Sequence, residues 1–202
     1  MKFLPSLTTI LLTASLAACG SSPPVRYYSL DSAVPGTTAE DQGAKVIGLG
    51  PFRFPDYLKR SQMVTRGAGA EIEVREFARW AEPVDRAMHR VVAAELDDRL
   101  RGVAVVAYPY IETAQVDFVV LGQVDRFESD ASGRVLLQLQ WSAVDSQHTT
   151  LITPRRASYE ATASTPDDPA AIARAMNQAL VRFSDDIATQ LDSALQQAAG
   201  SD

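Results

Sequence analysis

The sequence contains a single cysteine, and its position is the strongest constraint on how this chain can fold. Cys19 directly follows an apolar N-terminal stretch. One cysteine cannot form a disulfide within its own chain, so core packing must stabilise the fold. The 202 residues are enough for one domain, because chains of this size bury about 70% of the surface that they expose when unfolded.

Residues 1–18 have the features of an export signal. Lys2 supplies the positive charge, residues 3–16 form the apolar segment, and Ala17 and Ala18 are the small residues that precede a cleavage site. The apolar segment is shorter than the roughly 20 residues of a transmembrane helix. An ordinary secretory signal with a chance cysteine nearby is the alternative interpretation.

The four residues that end at Cys19 resemble the lipobox of bacterial lipoproteins. That resemblance implies cleavage before Cys19, diacylglycerol on its thiol and an acyl chain such as palmitate on the new amine. Two or more acyl chains give stable anchoring, whereas one chain gives marginal binding. Gly20 occupies the position where an aspartate commonly retains such proteins in the inner membrane, and this favours the outer membrane.

The chain is acidic, with a formal net charge of −6 at pH 7, and loss of Lys2 with the signal makes the mature chain more negative still. An acidic chain without a basic run is a poor ligand for nucleic acid. It also lacks a polybasic segment that would attract anionic lipid, so we expect the lipid on Cys19 to do the anchoring.

Hydrophobic periodicity predicts an α+β fold, a single domain with a mainly antiparallel sheet and two amphipathic helices. We divide the chain into a signal peptide at 1–18, a lipidated tether at 19–24 and a domain at 25–202. The expected strands cover residues 25–31, 45–49, 63–66, 71–77 and 103–107, followed by a meander at 116–128, 135–143 and 149–161.

Three local features refine this prediction. Pro154 assigns the last strand to a sheet edge or a bulge. The first helix opens at Glu82-Pro83, and Glu95 is the one polar residue on its apolar stripe. The second helix follows Pro169 and has an apolar stripe made by Ile172, Met176, Leu180, Phe183, Ile187, Leu191 and Leu195.

No pattern in the sequence indicates catalysis. The two histidines, His89 and His148, belong to no metal-spaced cluster, and we expect each to be exposed or half-buried. We therefore predict no catalytic residue, no metal ligand and no cofactor other than the lipid on Cys19. A hydrolase remains an alternative function, because catalytic triads assemble from residues that are distant in sequence.

One segment, made of residues 55–66 and 75–83, concentrates Arg, Tyr and Trp, the residue types that are enriched at interface hot spots. A structural alternative has Trp80 packed on the core and Arg79 paired with Glu82 at the start of the helix. The candidate partner-interface residues are Tyr57, Arg60, Arg66, Arg79, Trp80 and Glu82.

The same segment carries a family resemblance. Residues 27–30, 55–60 with 63–66, and 79–83 resemble the signature stretches of ABC-type transport auxiliary lipoproteins. Lys59 departs from the family pattern, which often has an aspartate there. The similarity covers essentially the whole mature chain.

The resemblance implies an outer-membrane lipoprotein that faces the periplasm. Its expected partners are an MCE-domain protein and the associated permease or ABC transporter, which move lipids or other hydrophobic molecules between two membranes. The implied role is that of an accessory or docking component, not a catalyst, and ring formation in the family makes a homo-oligomer an expectation. The alternative is a periplasmic lipid-binding carrier, which needs an apolar pocket between the meander and the helices.

Overall fold

Eight strands and two long helices make up the part of the chain that the computed structural model describes, residues 23–32, 34, 45–100, 102–110 and 115–199. A short 3-10 helix (Asp56–Leu58) precedes the third strand. The elements in chain order are β1 (Arg26–Tyr28), β2 (Lys45–Arg53), β3 (Gln62–Arg66), β4 (Ile72–Trp80), α1 (Val84–Arg99), β5 (Val103–Ala107), β6 (Phe118–Asp130), β7 (Arg134–Asp145), β8 (Thr150–Thr162) and α2 (Pro169–Ala199).

Strand β6 is the central strand of a branched sheet and pairs with three other strands. Along one side it pairs antiparallel with β7 over almost its whole length. Along the other side it pairs in parallel with β2 near its start and with β3 at its last two residues. Strands β2 and β3 therefore lie end to end beside β6. Strand β5 continues the sheet beyond β2, and β4 and β1 continue it beyond β3.

The meander from β6 to β8 forms the longest antiparallel ladders, which confirms the predicted α+β class. Alternate residues of β7 are buried, as the period of two predicts, so one face of the sheet meets the core. Strand β8 pairs only with β7, and it carries Pro154, so the predicted edge position is confirmed.

Both helices cover the same face of the sheet. Helix α1 packs on β2 and β5, while α2 packs on β6, β7 and β8. The Asp168 carboxylate accepts hydrogen bonds from the backbone N–H groups of Ala170 and Ala171, at 3.1 and 3.2 Å, and so caps the start of α2. Past the end of α1, Gly102 adopts a φ of +70°, which suits glycine.

Two strand predictions need correction. Strand β1 spans three residues and not seven. Strand β2 does not stop at residue 49: it passes through Gly50-Pro51, with a shift in register, and Phe52 then pairs with Gly122 of β6. Gly50 has a φ of +104°, a conformation that allows the chain to kink and rejoin the sheet.

The predicted signal peptide and Cys19 lie outside the described residues, as do residues 20–22 of the predicted tether. In the described part, no helix is long and apolar enough to cross a membrane.

Candidate functional site

The carboxylate of Glu128 holds together the segment that the sequence singled out. Its side chain is fully buried on β6, where Arg66 Nε and Arg126 Nε each donate to Oε1 at 2.9 Å. Tyr57 Oη donates to Oε2 at 2.8 Å, and the backbone N–H of Phe127 donates to the same oxygen at 3.0 Å. We call Tyr57, Arg66, Arg126 and Glu128 the Glu128 cluster.

Charge-assisted hydrogen bonds to one carboxylate hold the Glu128 cluster together. Burial, with the hydrogen bond to Glu128 adding to it, raises the pKa of Tyr57 to about 12, so its hydroxyl stays protonated and donating. The hydrogen bond to Glu128 is also the main cause that raises the pKa of Arg66. These groups fasten the 3-10 helix and β3 to β6 through the Glu128 carboxylate.

The other candidate interface residues divide into buried and accessible ones. Trp80 is only 7% exposed and belongs to the core, as the structural alternative expected. Glu82 does not pair with Arg79; Arg90 of α1 donates to it from Nη2 at 2.5 Å. Arg79 is half-buried and Arg60 is exposed. The structure therefore brings Tyr57 and Arg66 together and leaves Arg60, Arg79 and Glu82 at the surface.

His89 is buried, so the prediction of an exposed or half-buried histidine is wrong for this residue. Its Nε2 accepts a hydrogen bond from the backbone N–H of Phe52 at 3.0 Å, at the point where β2 kinks. Burial lowers the pKa of His89, which keeps the imidazole neutral and accepting. The spacing of three between His89 and the buried Val92 was the sequence signal for a core position.

A second buried carboxylate belongs to an ion-pair network that links the two helices. Glu95, the polar residue predicted on the apolar stripe of α1, is buried and accepts from Arg99 Nη1 at 2.6 Å. Arg99 Nε also donates to Asp185 of α2 at 2.6 Å. The polar break in the stripe is thus explained by an ion pair within α1, whose arginine also binds Asp185 of α2.

Aromatic rings fill the space between the meander and the helices where a lipid carrier would need its pocket. The Phe183 ring of α2 lies 6.3 Å from Trp141 of β7 and 5.7 Å from Phe52, and all three side chains are buried. A groove of about 630 Å³ is open to solvent at the far ends of α1 and α2, and it has the charged residues Lys45 and Arg99 in its lining. Among the described residues, no group of three or more His, Cys, Asp or Glu side chains could hold a metal ion.

Fold and contacts together define a class: an α+β domain with helices on one face of a branched sheet and with its buried charges paired internally. A family model described as the ABC-type transport auxiliary lipoprotein component matches residues 28–188. The chain belongs to this family, which is a family of transport auxiliary lipoproteins and not of enzymes.

Named relatives agree with this assignment. The intermembrane transport lipoprotein PqiC of Escherichia coli (strain K12) is 27% identical over 128 residues, which are 62% of this chain and 67% of that protein. PqiC of Shigella flexneri matches to the same extent. The crystal structure of the Xanthomonas campestris protein XCC0632 covers 87% of this chain and 99% of its own, with a TM-score of 0.69 and 21% identity, and so shares the fold.

Proposed function

We propose that this protein is an outer-membrane lipoprotein, anchored through Cys19, that serves as the docking component of an MCE-type trans-envelope transport system. The cargo of such a system is lipid or another hydrophobic compound. The domain at 25–202 faces the periplasm in this proposal, acts without catalysis and assembles as a homo-oligomer.

One observation carries the proposal: the family match extends over residues 28–188, nearly the whole described domain. The name of the relative PqiC, an intermembrane transport lipoprotein, supports a role between two membranes. The packed aromatic core supports an adaptor over a carrier, because the region between meander and helices is filled by protein side chains.

Accessible arginines are the best candidates for partner contact. Tyr57 and Arg66 donate to the buried Glu128, and Trp80 is itself buried, so these residues support the surface from within. Arg60 and Arg79 lie close together, because Arg79 pairs across the sheet with Gln62, two residues after Arg60. Arginine is enriched at interface hot spots, since its planar group binds carboxylates in two-point contacts.

Affinity purification from crosslinked envelopes tests the proposal. A C-terminal tag on the lipidated chain should recover an MCE-domain protein. The Arg60→Ala/Arg79→Ala double variant should lower that recovery about five-fold, the effect of losing roughly 1 kcal/mol of binding free energy.

Arg156→Ala is the matched control, because Arg156 is exposed on β8, far from this surface along the sheet. It should recover the partner like the wild type. Intact envelopes that yield no MCE-domain protein, with or without crosslinker, would overturn the docking role. An equal loss in the control would overturn the surface assignment.

A further inference from the structure

Exposed apolar side chains gather where the chain enters the described domain. Val25 is 38% exposed, Tyr27 is 66% exposed and Phe77 is 45% exposed. Across the described residues, only Tyr108 joins them as a large hydrophobic side chain with comparable exposure. We call Val25, Tyr27 and Phe77 the anchor-proximal patch. Three of four such side chains in one place is the kind of concentration that marks an interaction surface.

The register of β1 on β4 explains why these residues are neighbours. Tyr27 pairs with Arg79 in a parallel ladder, and Phe77 precedes Arg79 by two residues. Side chains two apart on a strand share a face, so Phe77 is the diagonal neighbour of Tyr27. An open groove of about 360 Å³ borders the patch, and its apolar lining includes Pro23, Pro24 and Pro169.

Covalent geometry keeps this patch close to the proposed anchor. Pro23 is four residue steps from Cys19, and a fully extended chain spans at most about 3.6 Å per residue, so the two lie within roughly 14 Å of each other. The polar headgroup layer of a bilayer is several ångströms thick on each side. A lipid on Cys19 therefore holds the patch within reach of that layer.

The chemistry of the patch suits the bilayer surface. Tyrosine is enriched at membrane–water interfaces, because its ring is apolar and its hydroxyl is polar. Arg26 precedes Tyr27 on the exposed edge strand and can meet lipid phosphates, while Glu73 and Glu76 are exposed carboxylates on β4.

We propose that the anchor-proximal patch rests in the headgroup layer of the membrane that holds the lipid anchor, so that the β1–β4 edge of the sheet faces the bilayer. This inference rests on the proposed anchoring through Cys19 and adds an orientation to it. The opposite edges of the sheet, β5 and β8, then project toward the periplasm.

Depth-dependent fluorescence quenching tests the orientation on the full lipidated protein. Lipid blocks Cys19, so a cysteine introduced by Tyr27→Cys or Phe77→Cys is the only thiol available for a fluorescent label. The matched controls are Tyr108→Cys, at the fourth exposed apolar side chain, and Gln178→Cys, on the exposed surface of α2. The labelled proteins are placed in vesicles of phosphatidylethanolamine and phosphatidylglycerol.

Labels at positions 27 and 77 should be quenched by nitroxide-bearing lipid about two-fold or more above the control labels, and should be protected from aqueous iodide. Equal lipid quenching at all four positions would overturn the orientation. Protection from both quenchers at 27 and 77 would also overturn it, by showing that protein, such as a second copy of the chain, covers the patch.

The anchor is read separately in the same samples, from the mass of the N-terminal peptide and from partition between soluble and membrane fractions. A chain that carries no lipid and stays soluble would overturn the anchor and, with it, the orientation. A lipidated chain with exposed patch labels would overturn the orientation alone and leave the docking role standing.

Discussion

Arg66 Nε and Glu128 Oε1 lie 2.9 Å apart, and this ion pair joins β3 to β6 through a carboxylate that no solvent reaches. Arg66 is partly exposed, whereas Glu128 is fully buried. The carboxylate must therefore be satisfied by its neighbours, because a buried charge without partners is costly. Tyr57 and Arg126 supply the remaining side-chain contacts.

Replacing Glu128 with glutamine should destabilise the domain by about 2 kcal/mol, because two arginines lose their charged acceptor in a buried site. Urea unfolding of the purified domain measures this change. Glu160→Gln is the control, since Glu160 is half-exposed and lies 3.8 Å from Arg134, and it should change the unfolding free energy by less than about 0.5 kcal/mol. A Glu128→Gln protein as stable as the control would show that the cluster contributes no net stability.

Stability should fall in mild acid because of His89. Its ordinary pKa of 6.5 applies in the unfolded chain, and burial lowers the pKa in the folded chain. The unfolded state therefore takes up a proton first as the pH drops, so this stabilisation is complete above pH 6.5 and is lost as the pH falls from there through the lowered value.

The measurement compares unfolding free energies at about pH 7.5 and about pH 5. His89→Gln should show a smaller drop than the wild type, because its amide can still accept from Phe52 but cannot titrate. His148→Asn is the control, because residue 148 lies in a turn with a φ of 63°, a conformation that asparagine tolerates. This variant should lose as much unfolding free energy between the two pH values as the wild type. Equal drops in both variants would remove His89 from the explanation.

Gly122 should not tolerate even a methyl group. A Cβ at this position would meet the carbonyl oxygen of Gln140 and would lie 2.9 Å from the Phe52 ring. Gly122→Ala must therefore separate β6 from β7 or move a core ring, at a cost of about 1–3 kcal/mol or more. The shift in the thermal midpoint reports this cost.

Gly102→Asn is the comparison for that experiment, because a Cβ at Gly102 meets nothing within 4 Å and asparagine accepts the positive φ. It should change the unfolding free energy by less than about 1 kcal/mol. If Gly122→Ala destabilised the domain no more than Gly102→Asn, the added methyl group would fit between β6 and β7, and the predicted clash would be wrong.

Replacing Cys19 with alanine should release the protein from membranes or block its processing, because the anchoring proposal depends on acyl chains at that residue. Fractionation of the envelope, with the mass of the N-terminal peptide, measures the result. The control is Ser21→Ala in the same tether, which should leave the protein with the outer membrane. A Cys19→Ala protein that is cleaved and still fractionates fully with the outer membrane would show that another feature is the main anchor.

Local pattern was enough to predict most elements. The alternation in β7, the stripe of α2 and the edge position of Pro154 in β8 follow from periods and steric rules that act over a few residues. The extension of β2 past Gly50 could not be predicted in this way. Its last residues are strand only because Gly122 and Gln123 of β6 pair with them.

The candidate site shows the same division. The signature stretch around Tyr57 and Arg66 was visible in the sequence, but its target was not, because Glu128 lies 71 and 62 residues further along the chain. The hydrogen-bond partner of His89 could not be predicted for the same reason, since the N–H group that donates to it belongs to Phe52, 37 residues earlier.

The single cysteine, the acidic charge, the α+β class and the family resemblance could all be predicted without a structure, since each of these depends on composition, local periodicity or short motifs. Tertiary structure alone decided that β2 and β3 share one side of β6, that Glu128 gathers Tyr57 and Arg66, and that Tyr27 and Phe77 meet at one edge. These are contacts between distant parts of the chain, and only the register of the sheet brings them together.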